Sequence, residues 1–316
     1  MHRLEMKKIP SSLSGQHLHL LVWKPEKPAA VLQIVHGMAE HIARYDEFAR
    51  WMCMRNVAVI GHSHLGHGLT AASENDLGYI APRNGWKHMT NDVHNVRREA
   101  QKLFPGLPHF ILGHSMGSFL TRTYLTTPDA EGLAGAIISG TGNQPAALMT
   151  AGKCIAGIIQ LFRGKRHRSE FINSLSFGSY NKSFEPGRTG YDWLSKNNEN
   201  IDQYIADPRC GFCFTVKAFS DMFTGLKYIG KASNIAKMPG YIPCLFMAGK
   251  NDPVGENGKE VEKTAEMFRK AGMTTVEVRL YENDRHELLN ESDREKVFSD
   301  VYEFMGRCPV ALKDDM

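Results

Sequence analysis

Short unbroken apolar runs alternate along the chain with stretches whose apolar residues recur every three or four positions. "AVLQIVHG" (30–37), "VAVIG" (57–61), "HFILGHS" (109–115) and "LAGAIISG" (133–140) are continuous and partly β-branched, as strands buried on both faces should be. Between them, "YDEFARWMCMR" (45–55) sets Phe48, Trp51 and Met52 on one helical face. "NDVHNVRREAQKLF" (91–104) does the same with Val93, Val96, Ala100, Leu103 and Phe104, and "MGSFLTRTYLTT" (116–127) reads as a third helix. The chain opens with "LEMKKI" and "HLHLLVW" around Ser-Ser-Leu-Ser-Gly, a predicted β-hairpin. The rhythm stops after Thr141. From about Asn143 to Lys237 the sequence is rich in Gly, Ser, Asn and aromatics, with helical pieces such as "LMTAGKCIAGIIQLF". It resumes with "IPCLFMAG", "GKEVEKTAEMFRKAG", "TVEVRLY" and "SDREKVFSDVYEFMG". This alternation predicts a mainly parallel sheet with helices on both faces. The core covers residues 1–141 and 238–316, and residues 142–237 form a mainly helical insertion.

Composition narrows the function classes. A formal net charge of +4 over 316 residues is too mild to suggest a nucleic-acid partner. The densest basic run, "RGKRHR" (163–168), reads as a solvated face. No stretch of about 18 uninterrupted apolar residues occurs, so no membrane span is expected. The N-terminus lacks the apolar centre of a signal peptide, and the chain reads as cytoplasmic. The six cysteines are sparse and uneven, unlike a secreted disulfide framework. Cys210-Gly-Phe-Cys213 has no second C-x-x-C to complete a metal site and reads as two reduced thiols beside a turn.

Gly-His-Ser occurs twice. In the first copy, His62-Ser63-His64-Leu65-Gly66-His67 has a His-x-His-x-x-His spacing that resembles the metal signature of metallo-β-lactamase-like hydrolases. That signature has an aspartate just before its third histidine, where this chain has Gly66. Leu65 stands where a second glycine would be needed for Ser63 to be a nucleophile. The second copy, Gly113-His114-Ser115-Met116-Gly117, is a full G-x-S-x-G between a strand run and a helix run. A serine on so sharp a turn needs small residues two positions either side, and the turn lifts its Oγ above the sheet beside a helix N-terminus. Ser115 is the expected nucleophile, with Gly113, His114 and Gly117 forming its elbow. An acid and then a base should follow in the chain. Asp252 lies just past one downstream strand and His286 past the next. Asp284 and Glu282 are rival acids, but they share the His286 loop and are expected to be solvated. The oxyanion donors should be the backbone N–H of Met116 and that of Met38, in the loop "VHGMAEH" after the third strand. His36 and His114 are expected to make local hydrogen bonds, and Glu40 and His41 to support the site without entering the chemistry.

With these residues in place, the chain resembles the α/β-hydrolase superfamily, and within it the monoacylglycerol lipase/lysophospholipase group, also described as serine aminopeptidase-like hydrolases. "HGMAEHIARYDEFA", "LGHGLTA", "GWKHMTNDVHNV", "LGHSMGS", "WLSKNNENIDQYIADPRCGFCFT", "AGKNDPVG" and "RHELLNE" carry the likeness along nearly the whole chain. The resemblance implies a mostly parallel eight-stranded sheet with helices on both faces and a mainly helical cap insertion. It also implies hydrolysis of a small-molecule ester or lipid through an acyl-serine, with no metal and no cofactor. The triad falls on Ser115, Asp252 and His286, and the oxyanion donors on Met38 and Met116. A short carboxylester or an N-terminal amino acid is an alternative substrate, and a non-catalytic ligand-binding member of the fold a second alternative. A transient contact of the cap with a membrane surface stays open, as does the oligomeric state. The loop after the fourth strand carries Ser63 where the family usually has aspartate.

Overall fold

A computed structural model describes residues 2–308. Strands β1 (His2–Pro10) and β2 (His17–Pro25) form the expected antiparallel hairpin. The alternation then runs β3 (Ala30–Val35), α1 (Asp46–Cys53), β4 (Val57–Ser63), α2 (Gly85–Leu103), β5 (His109–His114), α3 (Met116–Leu125) and β6 (Gly135–Ser139). Helices α4 (Ala146–Arg163), α5 (Glu170–Phe177), α6 (Asn198–Ala206), α7 (Val216–Ile229) and α8 (Ala232–Ile235) follow without a strand between them. Strand β7 (Cys244–Gly249), helix α9 (Lys259–Lys270), strand β8 (Val276–Tyr281) and helix α10 (Arg294–Arg307) restore the rhythm. Residues 309–316, counted above in the second core segment, lie outside the described residues.

The eight strands form one sheet in the order β1-β2-β4-β3-β5-β6-β7-β8, parallel from β4 to β8. Strands β3 to β7 are buried at every position, which explains why they read as continuous apolar runs. Phe48 and Met52 of α1 pack with Val297, Val301 and Phe304 of α10 on one face. Val93, Leu120 and Val261, from α2, α3 and α9, fill the other. Helix α2 starts at Gly85, six residues before the predicted start at Asn91. Its opening residues Trp86 and Met89 continue the buried stripe behind a left-handed Asn84.

The inserted helices are attached unevenly. Helix α4 is long and apolar enough to cross a membrane by length and composition. It instead packs along α7, where a Cβ on Gly152 would lie 2.9 Å from the Phe223 ring, and only Met149 and Ala156 of it are buried. The basic run after α4 is largely exposed, as expected of a solvated face, with Arg166 paired to Asp76 at 2.8 Å and Arg168 donating to the Asn75 and Leu77 carbonyls.

Parallel pairing brings the strand ends together. Val35 pairs with Gly113, His114 with Ser139, and Gly249 with Tyr281. The loops that follow β3, β5, β7 and β8 therefore emerge side by side, as a parallel α/β sheet requires of its site.

Candidate active site

Ser115 sits between β5 and α3 with φ +52° and ψ −121°, a conformation an L-residue holds only under constraint. The flanking glycines are needed for steric reasons. A Cβ on Gly117 would approach the Val35 carbonyl oxygen to 1.9 Å, and one on Gly113 would come within 2.4 Å of the Gly117 oxygen. The Ser115 N–H donates to the Ser139 carbonyl, and the Ser115 carbonyl accepts from the Ser118 N–H and hydroxyl. Met116 opens α3, so its N–H has no partner within the helix.

His286 and Asp252 come together as expected. His286 Nδ1 donates to Asp252 Oδ2 at 2.9 Å, with the two side chains 2% and 0% exposed. A second oxygen, Asp252 Oδ1, accepts the Val254 N–H and fixes the carboxylate's orientation. Burial alone lowers the His286 imidazole. The charge and hydrogen bond of Asp252, with Glu287 and Glu40 adding, outweigh it and raise the imidazole above the ordinary histidine value. Glu282 is exposed and paired with Lys250, as its rival reading anticipated. Asp284 departs from expectation. It is buried rather than solvated, because Lys196 reaches across from the inserted segment to pair with it.

The loop after β3 lies directly on Ser115. A Cβ on Gly37 would fall 3.2 Å from Ser115 Cβ, and Met38 and Met116 line the same cavity as Ser115 and His286. Glu40 shapes this loop by accepting the Gly37 N–H at 2.5 Å and the Tyr45 hydroxyl at 2.9 Å. His41 donates to Asp207 at 2.8 Å. With Cys210 these two residues set three ligand-type atoms within 4.8 Å of one another, but the Asp207 carboxylate is already engaged by the Arg209 guanidinium.

The first Gly-His-Ser ends β4, so His62 and Ser63 belong to the strand and only the rest is loop. His36, His62, His64 and His67 bury together, their ring centroids as close as 4.1 Å. One set of neutral tautomers satisfies most of their bonds. His62 Nε2 donates to His64 Nδ1, His64 Nε2 to the His36 carbonyl, and His36 Nδ1 to the Gly37 carbonyl, while His36 Nε2 accepts the His64 N–H. Burial, then the His67 imidazole, pushes His62 down to about 3, and burial pushes His67 to about 4. These bonds tie the loop after β4 to the start of the loop after β3. Ser63 presses its small side chain against the positive-φ turn at Gly68, where a Cβ would stand 2.4 Å from Ser63 Oγ. His36 makes the local bonds expected of it. His114 instead packs its ring on His286 at 4.8 Å, and burial lowers it to about 3.

The cavity above these residues has a volume of about 790 Å³. Its walls come largely from the inserted helices, including Leu148, Ile155, Phe177, Met222 and Phe223. Two features of the site have no local signal in the sequence. Arg44 forks onto Glu287 with two 2.7 Å bonds and also reaches Glu40 and Asn200 at 2.9 Å, tying three loops together. Trp193, from the segment before α6, lies against the His286 ring.

Comparison with known proteins shows the family and the fold. The family model described as serine aminopeptidase S33 matches residues 26–293. The chain is similar to human monoglyceride lipase, 27% identical over 254 residues covering 75% of this chain and 70% of that one. The monoglyceride lipase homolog of monkeypox virus is 25% identical over 295 residues, covering 90% of this chain and 92% of its own. Among solved structures, a highly thermostable carboxyl esterase from Bacillus coagulans, in complex with glycerol, superposes with a TM-score of 0.88. It is 26% identical and covers 95% of this chain and 97% of that one. The chain belongs to the serine aminopeptidase S33 family of hydrolases and has the α/β-hydrolase fold.

Proposed function

We propose that this chain hydrolyses the ester of a single-chain acyl lipid, a monoacylglycerol or lysophospholipid, through an acyl-Ser115 intermediate. The observation that carries the reading is the buried His286–Asp252 pair at 2.9 Å, whose imidazole lines the same cavity as a strained Ser115. Ser115 Oγ attacks the ester carbonyl while His286 Nε2 takes its proton and Asp252 holds the imidazole in the tautomer that can accept it. The N–H groups of Met38 and Met116 stabilise the oxyanion. His286 then protonates the departing alcohol and draws a proton from water in deacylation.

A cavity of about 790 Å³ with mostly apolar walls suits an acyl chain better than a peptide. The lipid reading also agrees with the names of the human and viral relatives. Residues 142–237 act as a cap over a core whose described residues are 2–141 and 238–308. The cap exposes Leu161, Phe162, Phe171 and Leu175 on α4 and α5, and this apolar face suits transient contact with a lipid surface. All six cysteines are free, which fits a cytoplasmic setting. Rates on monoacylglycerols, lysophospholipids, p-nitrophenyl esters of graded length and aminoacyl anilides test the substrate class. The expected preference is for long-chain monoacyl esters. A higher kcat/KM on aminoacyl anilides or on acetate esters would overturn it.

A further inference from the structure

The cap does not meet the catalytic loop as a loose lid. Residues 192–200 are bonded to residues 284–291 along their length. The Glu287 N–H donates to the Leu194 carbonyl at 2.7 Å, and the Arg285 guanidinium donates to the Asp192 and Ser195 carbonyls. Ser195 Oγ and the Lys196 N–H both donate to Glu291, at 2.8 and 3.0 Å. Asn197 Nδ2 donates to the Asn290 carbonyl at 3.1 Å, and Asn200 Nδ2 to Glu287 at 2.8 Å. At the centre of this clasp, the Trp193 ring centroid stands 5.1 Å from that of His286, with the planes 40° apart. Trp193 is itself fixed by its own N–H on Asn181 Oδ1 and by the edge of Tyr180.

We propose that Trp193 is a positioning residue for the catalytic base: the cap, through this indole and the clasp around it, holds the His286 imidazole and stabilises its protonated form. The inference rests on the acyl-serine reading above. In both half-reactions a proton moves from an oxygen, first of Ser115 and then of water, onto His286 Nε2, so the ring becomes a cation twice per turnover. An indole face within about 6 Å of a cation attracts it, and tryptophan does so more strongly than phenylalanine. The contact also limits rotation of a ring that is otherwise held by the Asp252 bond and by packing on His114. The charged or titratable groups acting on His286 are Asp252, Glu40, Glu287 and His114, none of them from the cap; the cap's Tyr180 phenol faces Asp252, and burial pushes it up to about 12, so it stays neutral. The cap's contribution is therefore the indole and the backbone clasp.

Three proteins test this: the native enzyme, Trp193→Leu, which keeps apolar bulk, and Trp193→Phe, which keeps a weaker ring. The readouts are kcat/KM against pH on p-nitrophenyl acetate, too short to reach the far acyl wall, and the rate of Ser115 labelling by a fluorophosphonate. Trp193→Leu is expected to lower both rates about tenfold and to move the acid limb down by about one pH unit, with Trp193→Phe in between. Native rates and a native pH profile in Trp193→Leu, with loss confined to KM for long-chain esters, would overturn the proposal. Should Trp193→Leu fail to fold, the native-minus-Trp193→Phe fluorescence decides. Quenching with a midpoint at the acid limb supports the contact, and a flat difference refutes it. No labelling of the native enzyme at Ser115 refutes the acyl-serine reading along with this one, whereas native-rate labelling of Trp193→Leu refutes this one alone.

Discussion

Replacing Arg44 by Met should cost more stability than any exposed charge in the molecule, and the structure says why. Arg44 is one cation shared by two buried carboxylates, Glu40 at 3% and Glu287 at 4% exposure. Burial pushes Glu287 up, but the charge and fork of Arg44 hold it at about 2. Glu40 goes the other way, because burial and the Glu287 charge together outweigh its smaller share of Arg44. Removing one partner of such a buried set typically costs about 3–5 kcal/mol. The depression of Glu287 from its ordinary value near 4.3 is independently worth about 3 kcal/mol. The melting temperature of Arg44→Met should therefore fall by about 5–8 °C at pH 7.

The sign with pH follows from the same carboxylate. In the native protein the Glu287 contribution is present above its unfolded value and is lost only as pH falls through about 2. In Arg44→Met, Glu287 is buried without its cation and its pKa rises, so the penalty is relieved by protonation and the gap to native narrows between pH 7 and 6. Urea melts of the native protein, Arg44→Met, Glu287→Gln and the double variant at both pH values read all of this. A loss under 1 kcal/mol in Arg44→Met, or a coupling energy below 1 kcal/mol between the two sites, would refute the reasoning.

Three further outcomes are expected. Asp252→Asn should lower kcat by about 10⁴ and shift the acid limb of kcat/KM downward from a native position above about 6.5, measured on a soluble ester; a loss under tenfold contradicts the assignment. The protein should unfold near pH 5. His62, His109 and His114 lie at about 3 and His67 at about 4 because burial disfavours their charged forms, and His36 and His64 are likewise low. The unfolded chain binds more protons below about 6.5, so stability falls as pH drops, by up to about 1.4 kcal/mol per pH unit for each histidine. Circular dichroism showing an intact fold at pH 4 would contradict this. Leu161→Asp with Phe162→Asp should reduce hydrolysis of monoacylglycerol in vesicles about tenfold and leave p-nitrophenyl acetate turnover unchanged, and equal effects on both would refute lipid-surface contact.

What was legible in the sequence is what short-range physics dictates. Gly117 announces the elbow because only a glycine lets the turn pass 1.9 Å, in virtual Cβ terms, from the Val35 carbonyl. Asp252 and His286 were legible because each follows an apolar strand run, and parallel strands end at one edge. The pairings that complete the site have no such pattern. Arg44 meets Glu287 across 243 positions, and Lys196 meets Asp284 across 88. Asp284 reads as solvated for this reason: its own loop is polar, and the Lys196 cation that pairs with it arrives from the insertion. Trp193 likewise sits in a stretch that matches the family, yet nothing in "YDWLSKN" says that the indole faces the imidazole. Helix α2 was started late because Asn84 and Gly85 look like a loop while Trp86 already faces the core.

The most direct measurement is peptide-mapped mass spectrometry of the native chain after reaction with a fluorophosphonate. One phosphonyl group on Ser115 is predicted, absent in Ser115→Ala and formed far more slowly in His286→Ala. An unlabelled native protein, or a label on another serine with ester hydrolysis surviving in Ser115→Ala, would contradict the account.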